Sequence, residues 1–224
     1  MKIVKWFLII VGSICLILAI TLTVSLIILD NKTKGIDDDY KTIYTNDKYN
    51  EALLINDIPL VKQDISCGYA VIEMFAKWNK DNTITEQSLY DEYKSVVTQT
   101  GDSFANEMNK RFPQYKTTIH KYLKNTELID KAYQSLSNGI PVPFEWCAKY
   151  NNEWTLHYSL LIGLDIKNDL VTILNPYGIK ETIKIDEFLS RTSYKAYNSM
   201  GLFIRLGFAF GIFEKNTIFI VERI

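Results

Sequence analysis

Trp6 to Leu29, WFLIIVGSICLILAITLTVSLIIL, is a run of 24 residues without a single charge. As a helix it reaches about 36 Å, enough to cross a hydrocarbon core with some tilt. A segment of this kind cannot be left in water as a surface helix, so it constrains the whole chain. Lys2 and Lys5 precede it; Lys32, Lys34 and the acidic Asp37–Asp39 follow. The leading lysines favour a cytoplasmic N-terminus and place the rest of the chain on the far side of the membrane. The apolar run exceeds a usual signal-peptide core, and no small-x-small cleavage site follows it, so an uncleaved anchor is expected over a cleaved signal. The organisation read from this is a cytoplasmic N-terminus (residues 1–5), a transmembrane anchor (6–29), a polar tether (30–50) and one domain (51–224). The expected location is the cell membrane, single-pass, with the C-terminal domain extracytoplasmic and the bilayer as a partner through residues 6–29.

Net charge is −1, with no basic stretch outside the N-terminus, which argues against nucleic acid as a partner. The first half of the domain reads as helical. Cys67, Ala70, Val71, Met74, Phe75 and Trp78 recur at spacings of three and four after Ser66, a candidate cap. TEQSLYDEYKSV follows Thr83 or Thr85, SFANEMNKRF stops at Pro113, and TELIDKAYQSLSNG ends on Gly139. The pattern then changes. IPVPFEWCA, WTLHYSLLIGLD, LVTILNP and KETIKI are rich in β-branched and aromatic residues and are separated by turn sequences, as antiparallel strands require. DEFLSRTS reads as a short helix and NTIFIVERI as a closing strand. AYNSMGLFIRLGFAFGIF is apolar but carries Arg205, and is expected as a packed element rather than a second span. LLINDIPLVKQ, with Pro59, reads as an edge strand or extended lead-in. The fold class is α+β, a helical half packed on an antiparallel β-sheet, with a cleft between them for a substrate.

Cys67 opens its helix. The first-turn N–H groups and the helix dipole favour a thiolate there, and Gly68 beside it leaves room for a substrate. Such a thiolate is expected to alkylate far faster than Cys147 at mildly acidic pH. A nucleophile needs a base, and the chain has two histidines. His120 lies among polar neighbours with no nameable partner. His157 lies in an otherwise apolar strand and needs a hydrogen-bond partner if buried. Asn175 ends the next strand; if the two pair as a hairpin about residues 167–169, it falls near the level of His157, where its amide oxygen can orient the imidazole. Gln63, four residues before Cys67, can donate to an oxyanion together with the Cys67 backbone N–H. Nucleophile, base, orienter and oxyanion donor make up the set that acyl transfer needs.

The order Gln63…Cys67-Gly68…His157…Asn175 resembles that of papain-like cysteine peptidases. The pieces DIPLVKQDISCGYAVIEM, GIPVPFEW, WTLHYSLLIGLD and ILNPYG are similar to the bacteriocin-processing-type branch, the peptidase family C-39-like domains, over roughly residues 56–188. The resemblance implies a papain-like cysteine proteinase fold, peptide or protein substrates, no metal or organic cofactor, and the roles above for Cys67, His157, Asn175 and Gln63. Many members carry Asp where Asn175 stands, and many papain-like enzymes have a longer step from Gln to Cys. The implied function is a membrane-anchored cysteine peptidase-like hydrolase. Two alternatives stand beside it: a non-catalytic binding protein of the same fold, which a Cys67–Cys147 disulfide would favour, and a thiol acyl transferase or peptide cyclase.

Overall fold

The computed structural model describes residues 2–33, 38–194 and 199–224. The N-terminal helix α1 runs from Lys2 to Thr33 and contains an apolar stretch, Val4–Ile28, long enough to cross a membrane. Its side chains between residues 4 and 28 are exposed, except for a partly covered face at Leu22, Ser25 and Leu26. Asp37 of the acidic run lies outside the described residues.

The second half of the expected tether does not hang free. Tyr40–Thr45 and Asp47–Tyr49 form two 3₁₀ turns that pack on the domain, burying Ile43 and Tyr49. Tyr44 donates to Asp169 at 2.6 Å, Tyr49 donates to Asp130 at 2.8 Å, and Lys48 pairs with the same aspartate. The apolar side chains among these polar residues find a place against the first core they meet.

The chain then forms β1 (Leu53–Leu54), α2 (Cys67–Trp78), α3 (Glu86–Tyr93), α4 (Gly101–Arg111), β2 (Tyr115–His120) and α5 (Asn125–Ser137). After these come β3 (Val142–Tyr150), β4 (Glu153–Asp165), β5 (Leu170–Asn175), β6 (Ile179–Lys184), α6 (Ile185–Thr192), α7 (Leu202–Ala209) and β7 (Ile218–Arg223). Local chemistry sets the boundaries. Ser66 Oγ accepts from the Tyr69 N–H and caps α2, and Thr85 and Ser88 make a reciprocal capping box on α3, as Thr100 and Ser103 do on α4. Gly139 turns the chain out of α5 with φ +72°. Asn151 and Asn152, at φ 47° and 68°, close the β3–β4 hairpin in the left-handed conformation that asparagine tolerates.

The seven strands make one antiparallel sheet in the order β2-β7-β3-β4-β5-β6, with β1 paired to β4. β2 lies among the helices in sequence and pairs with the last strand in space, from Tyr115 opposite Arg223 to His120 opposite Ile218. This strand falls where only helices were expected. His120, on it, is therefore a sheet-edge residue. Helices α2 and α4 pack on one face of the sheet around Tyr69, Phe75, Phe104, Tyr158 and Phe219. Helices α5 and α6 pack on the other around Leu128, Phe144, Trp146, Leu161 and Phe188. With both faces covered, Val142 to Ala148 of β3 is buried at every position, so its sequence, apolar except for Glu145, shows no in-out alternation. The fold is α+β and papain-like. Its helices flank both faces of the sheet instead of gathering in one half.

Candidate active site

The site is assembled where the N-terminus of α2 meets β4 and the β5–β6 turn. Cys67 takes the first helical position of α2, behind the Ser66 cap. The backbone N–H groups of Tyr158 and Gly68 favour its charged form, which ties the thiol to β4 at the residue next to His157. Burial outweighs them and pushes the thiol up to about 11, with Glu145 adding repulsion. This corrects the expectation of a helix-stabilised thiolate: desolvation is the larger effect here. Gly68 also differs from expectation. A Cβ there would stand 2.2 Å from Thr98 Oγ1, so the glycine seats the loop before α4 rather than opening space for a substrate.

His157 is buried at mid-strand, opposite Trp146 of β3. Its Nε2–H donates to Asn175 Oδ1 at 2.8 Å. The same oxygen accepts from the Tyr177 N–H at 2.9 Å, and Asn175 Nδ2 donates to Glu181 Oε1 at 2.5 Å. Three partners thus fix which way the amide faces. Behind Glu181 stands Arg191 of α6, 3.3 Å from its second oxygen; Arg191 also donates to the Cys147 carbonyl at 3.0 Å and covers the Trp146 ring at 3.4 Å from the centroid. Tyr177 stacks on the imidazole, with ring centroids 4.0 Å apart and planes 21° from parallel. Burial holds His157 down at about 4, partly countered by the Asn175 hydrogen bond. In this state thiol and imidazole are both neutral, and among the described residues no hydrogen bond joins them.

Gln63 is brought to the site by its backbone, whose N–H donates to the Pro176 carbonyl at 2.8 Å. Its Oε1 is buried and has no hydrogen-bond partner. Glu86 holds the rest of this loop, accepting from the Asp64 and Ser66 N–H groups at 2.8 and 3.0 Å.

Four neighbours of these residues carry no clear signal in the sequence. Tyr177 sits in ILNPYG two residues past Asn175, a position where an aromatic residue can fold back onto a level neighbour; Glu181 and Arg191 give no such signal. Glu145, opposite Tyr158, is fully buried; burial pushes its carboxyl up to about 7, and the Tyr158 side chain pulls the other way. The cysteines are all free, and Cys147 packs with Tyr194, Met200 and Phe208 in a separate apolar cluster. Beside the site, Tyr150, Trp154, Thr155, Tyr177, Met200 and Ile204 line a groove of about 480 Å³. Among the described residues, no group of three or more His, Cys, Asp or Glu is disposed to hold a metal.

Comparison with known proteins gives a family match over residues 55–202, to the family described as "Peptidase_C39 like family". No curated protein matches the chain. Among solved structures, the chain is similar to a crystal structure of a double glycine motif protease from an AMS/PCAT transporter in complex with the leader peptide. The identity is 12%, the TM-score is 0.49, and the match covers 78% of this chain and 99% of that one.

Proposed function

The chain belongs to the Peptidase_C39 like family, and from that premise we propose that it is a membrane-anchored cysteine peptidase hydrolysing peptide or amide bonds, with Cys67 as nucleophile, His157 as base, Asn175 as orienter and Gln63 as oxyanion donor. The observation that carries this reading is the 2.8 Å hydrogen bond from His157 to Asn175, one strand residue away from the Tyr158 N–H that meets the Cys67 thiol. Both reactive groups start neutral. As the sulfur attacks the carbonyl carbon, its proton passes to His157, and the Cys67 N–H and the Gln63 side-chain amide stabilise the oxyanion. Imidazolium then protonates the leaving amine, and the C–N bond breaks to give a thioester. Water, deprotonated by His157, attacks the thioester and releases the acid and the free thiol. Asn175 supports the imidazolium by holding its Nε2–H in place.

The anchor reading draws on Val4–Ile28, exposed along most of its length and free of charge beyond Lys5. With Lys2 and Lys5 on the cytoplasmic side, the domain lies outside. A specific observation favours a second reading: among the described residues no hydrogen bond joins the Cys67 thiol to the His157 imidazole, which suits a protein that binds peptides without cleaving them.

The test is incubation of the detergent-solubilised full chain with a mixed peptide library, read by mass spectrometry. Cleavage is expected, and it is expected to vanish in Cys67→Ala and His157→Ala. Peptide retained intact by wild type and Cys67→Ala alike would select the binding reading.

A further inference from the structure

Helix α7 and the residues after it, Leu202 to Phe213, hold one charged residue, Arg205. Gly207 and Phe208 pack inward, against Tyr194 and Phe213. The outward residues are not polar, as they are on an ordinary surface helix. Leu202 is 61% exposed, Phe203 87%, Phe210 58% and Ile212 51%. Four large apolar side chains in eleven residues form a patch without a protein partner in the fold, of a kind that marks an interaction surface.

What covers the patch is indicated by its neighbour. Helix α7 packs against α1, and the partly covered face of α1 is Leu22, Ser25 and Leu26. At 1.5 Å per residue, these positions lie about 3–9 Å inside the Ile28 end of the apolar stretch. That is about the depth at which an interfacial helix rests, with its apolar face about 5–10 Å into the boundary between headgroups and acyl chains. We propose that α7 lies in the outer surface of the bilayer beside α1, with Leu202, Phe203, Phe210 and Ile212 inserted among the lipids. This rests on the reading of α1 as a membrane span. Aromatic and aliphatic side chains without a charge among them suit the acyl boundary, and the adjoining span fixes the patch at that level.

The placement has a consequence for the site. Met200, just before α7, and Ile204, in its first turn, line the groove together with Tyr177 and Trp154, and Met200 pairs with Trp154 by an isolated parallel bridge. A docked α7 sets the groove at headgroup level. The substrates it receives are then peptides lying on the membrane surface.

The experiment uses the full chain in lipid nanodiscs, with Cys15→Ala and Cys67→Ala and with Cys147 left in its buried place. Single cysteines are introduced by Phe203→Cys and Phe210→Cys, with Ile17→Cys in the span and Lys116→Cys on exposed β2 as references, and each is nitroxide-labelled. Relative collision with oxygen and with a water-soluble nickel chelate is read by electron paramagnetic resonance. The oxygen-to-nickel ratio is expected to be several-fold higher at 203 and 210 than at 116, and to approach that at 17. Ratios at 203 and 210 equal to that at 116, with 17 still lipid-like, would overturn the docking of α7 alone. A water-like ratio at 17 would remove the span and the docking together. Immobilised labels at 203 and 210, shielded from both reagents, would point to a protein partner and equally overturn the proposal.

Discussion

The carboxylate of Glu181 accepts a 2.5 Å hydrogen bond from the side-chain amide of Asn175. An asparagine amide can flip; with Nδ2 held by Glu181, Oδ1 is the atom that must face His157. In the proposed mechanism Glu181 acts as a positioning residue, braced by Arg191. Glu181→Leu is expected to lower kcat about ten- to a hundredfold with KM little changed, the loss of one charge-assisted hydrogen bond. Glu181→Gln, which can still offer an oxygen, should recover most of it. Steady-state kinetics of the two variants check this, and equal losses in both would argue against orientation as the role.

His157 and Glu145 make opposing contributions to stability against pH. His157 is held at about 4 against an ordinary 6.5, so between those values the unfolded chain binds the extra proton, and stability falls as pH falls. Glu145 is raised to about 7 from 4.5, so the folded chain binds the extra proton, and stability falls as pH rises through that window. Each is worth about 3 kcal/mol at most, and in wild type the two slopes largely offset between pH 4.5 and 6.5. Glu145→Gln should leave a protein that weakens by about that much as pH drops from 6.5 to 4. His157→Gln should leave one that weakens as pH rises from 4.5 to 7. Urea denaturation of the three proteins across this range checks both signs.

The Cys67 thiol, pushed up to about 11 by burial, is expected to react slowly with iodoacetamide at neutral pH. Its rate should climb about tenfold per pH unit and level off only near that value. A fast, pH-independent reaction from about pH 6 upward would show a thiolate already formed in the free protein.

Tyr177 shields the imidazole by lying flat against it. Tyr177→Ala admits water to that face, and the His157 titration should move from about 4 towards 6.5, while Tyr177→Phe leaves it in place. The imidazole resonances in an NMR pH series report this directly, with His120 as the second histidine for comparison.

Gly68→Ala brings a methyl group against the Thr98 side chain, 2.2 Å from Oγ1 and 2.7 Å from Cβ. The overlap should lower stability by about 1–3 kcal/mol. Adding Thr98→Ala removes the nearer atom and should return part of that loss. Thermal unfolding of the single and double variants measures both.

Much of this arrangement was legible because it is written in local patterns. The Ser66 cap, the period of α2 and the run of strands after Gly139 are each carried by neighbouring residues, and the nearness of Asn175 to His157, two positions apart on the ladder, follows from a short hairpin. What escaped depends on distant parts of the chain. β2, YKTTIH, has little apolar content of its own and becomes a strand because β7, about a hundred residues later, supplies its partner. Glu145 reads as an accidental charge in a strand, and its burial arises from helices packing on both faces of the sheet. Glu181 and Arg191 matter through a bridge from β6 to α6 that no spacing announces. The apolar residues around Phe203 were legible as an unusual stretch, yet they pack inward on one side only.

The two 3₁₀ turns between Tyr40 and Tyr49 are pinned to the domain by Tyr44, Lys48 and Tyr49, which leaves four residues, 34–37, between α1 and the first described residue beyond it. Even stretched taut, so short a leash reaches no more than about 18 Å. If the chain is the anchored peptidase proposed above, a leash of that length keeps its domain at the lipid surface. On that reading its turnover should rise with how densely peptide crowds the lipid sheet.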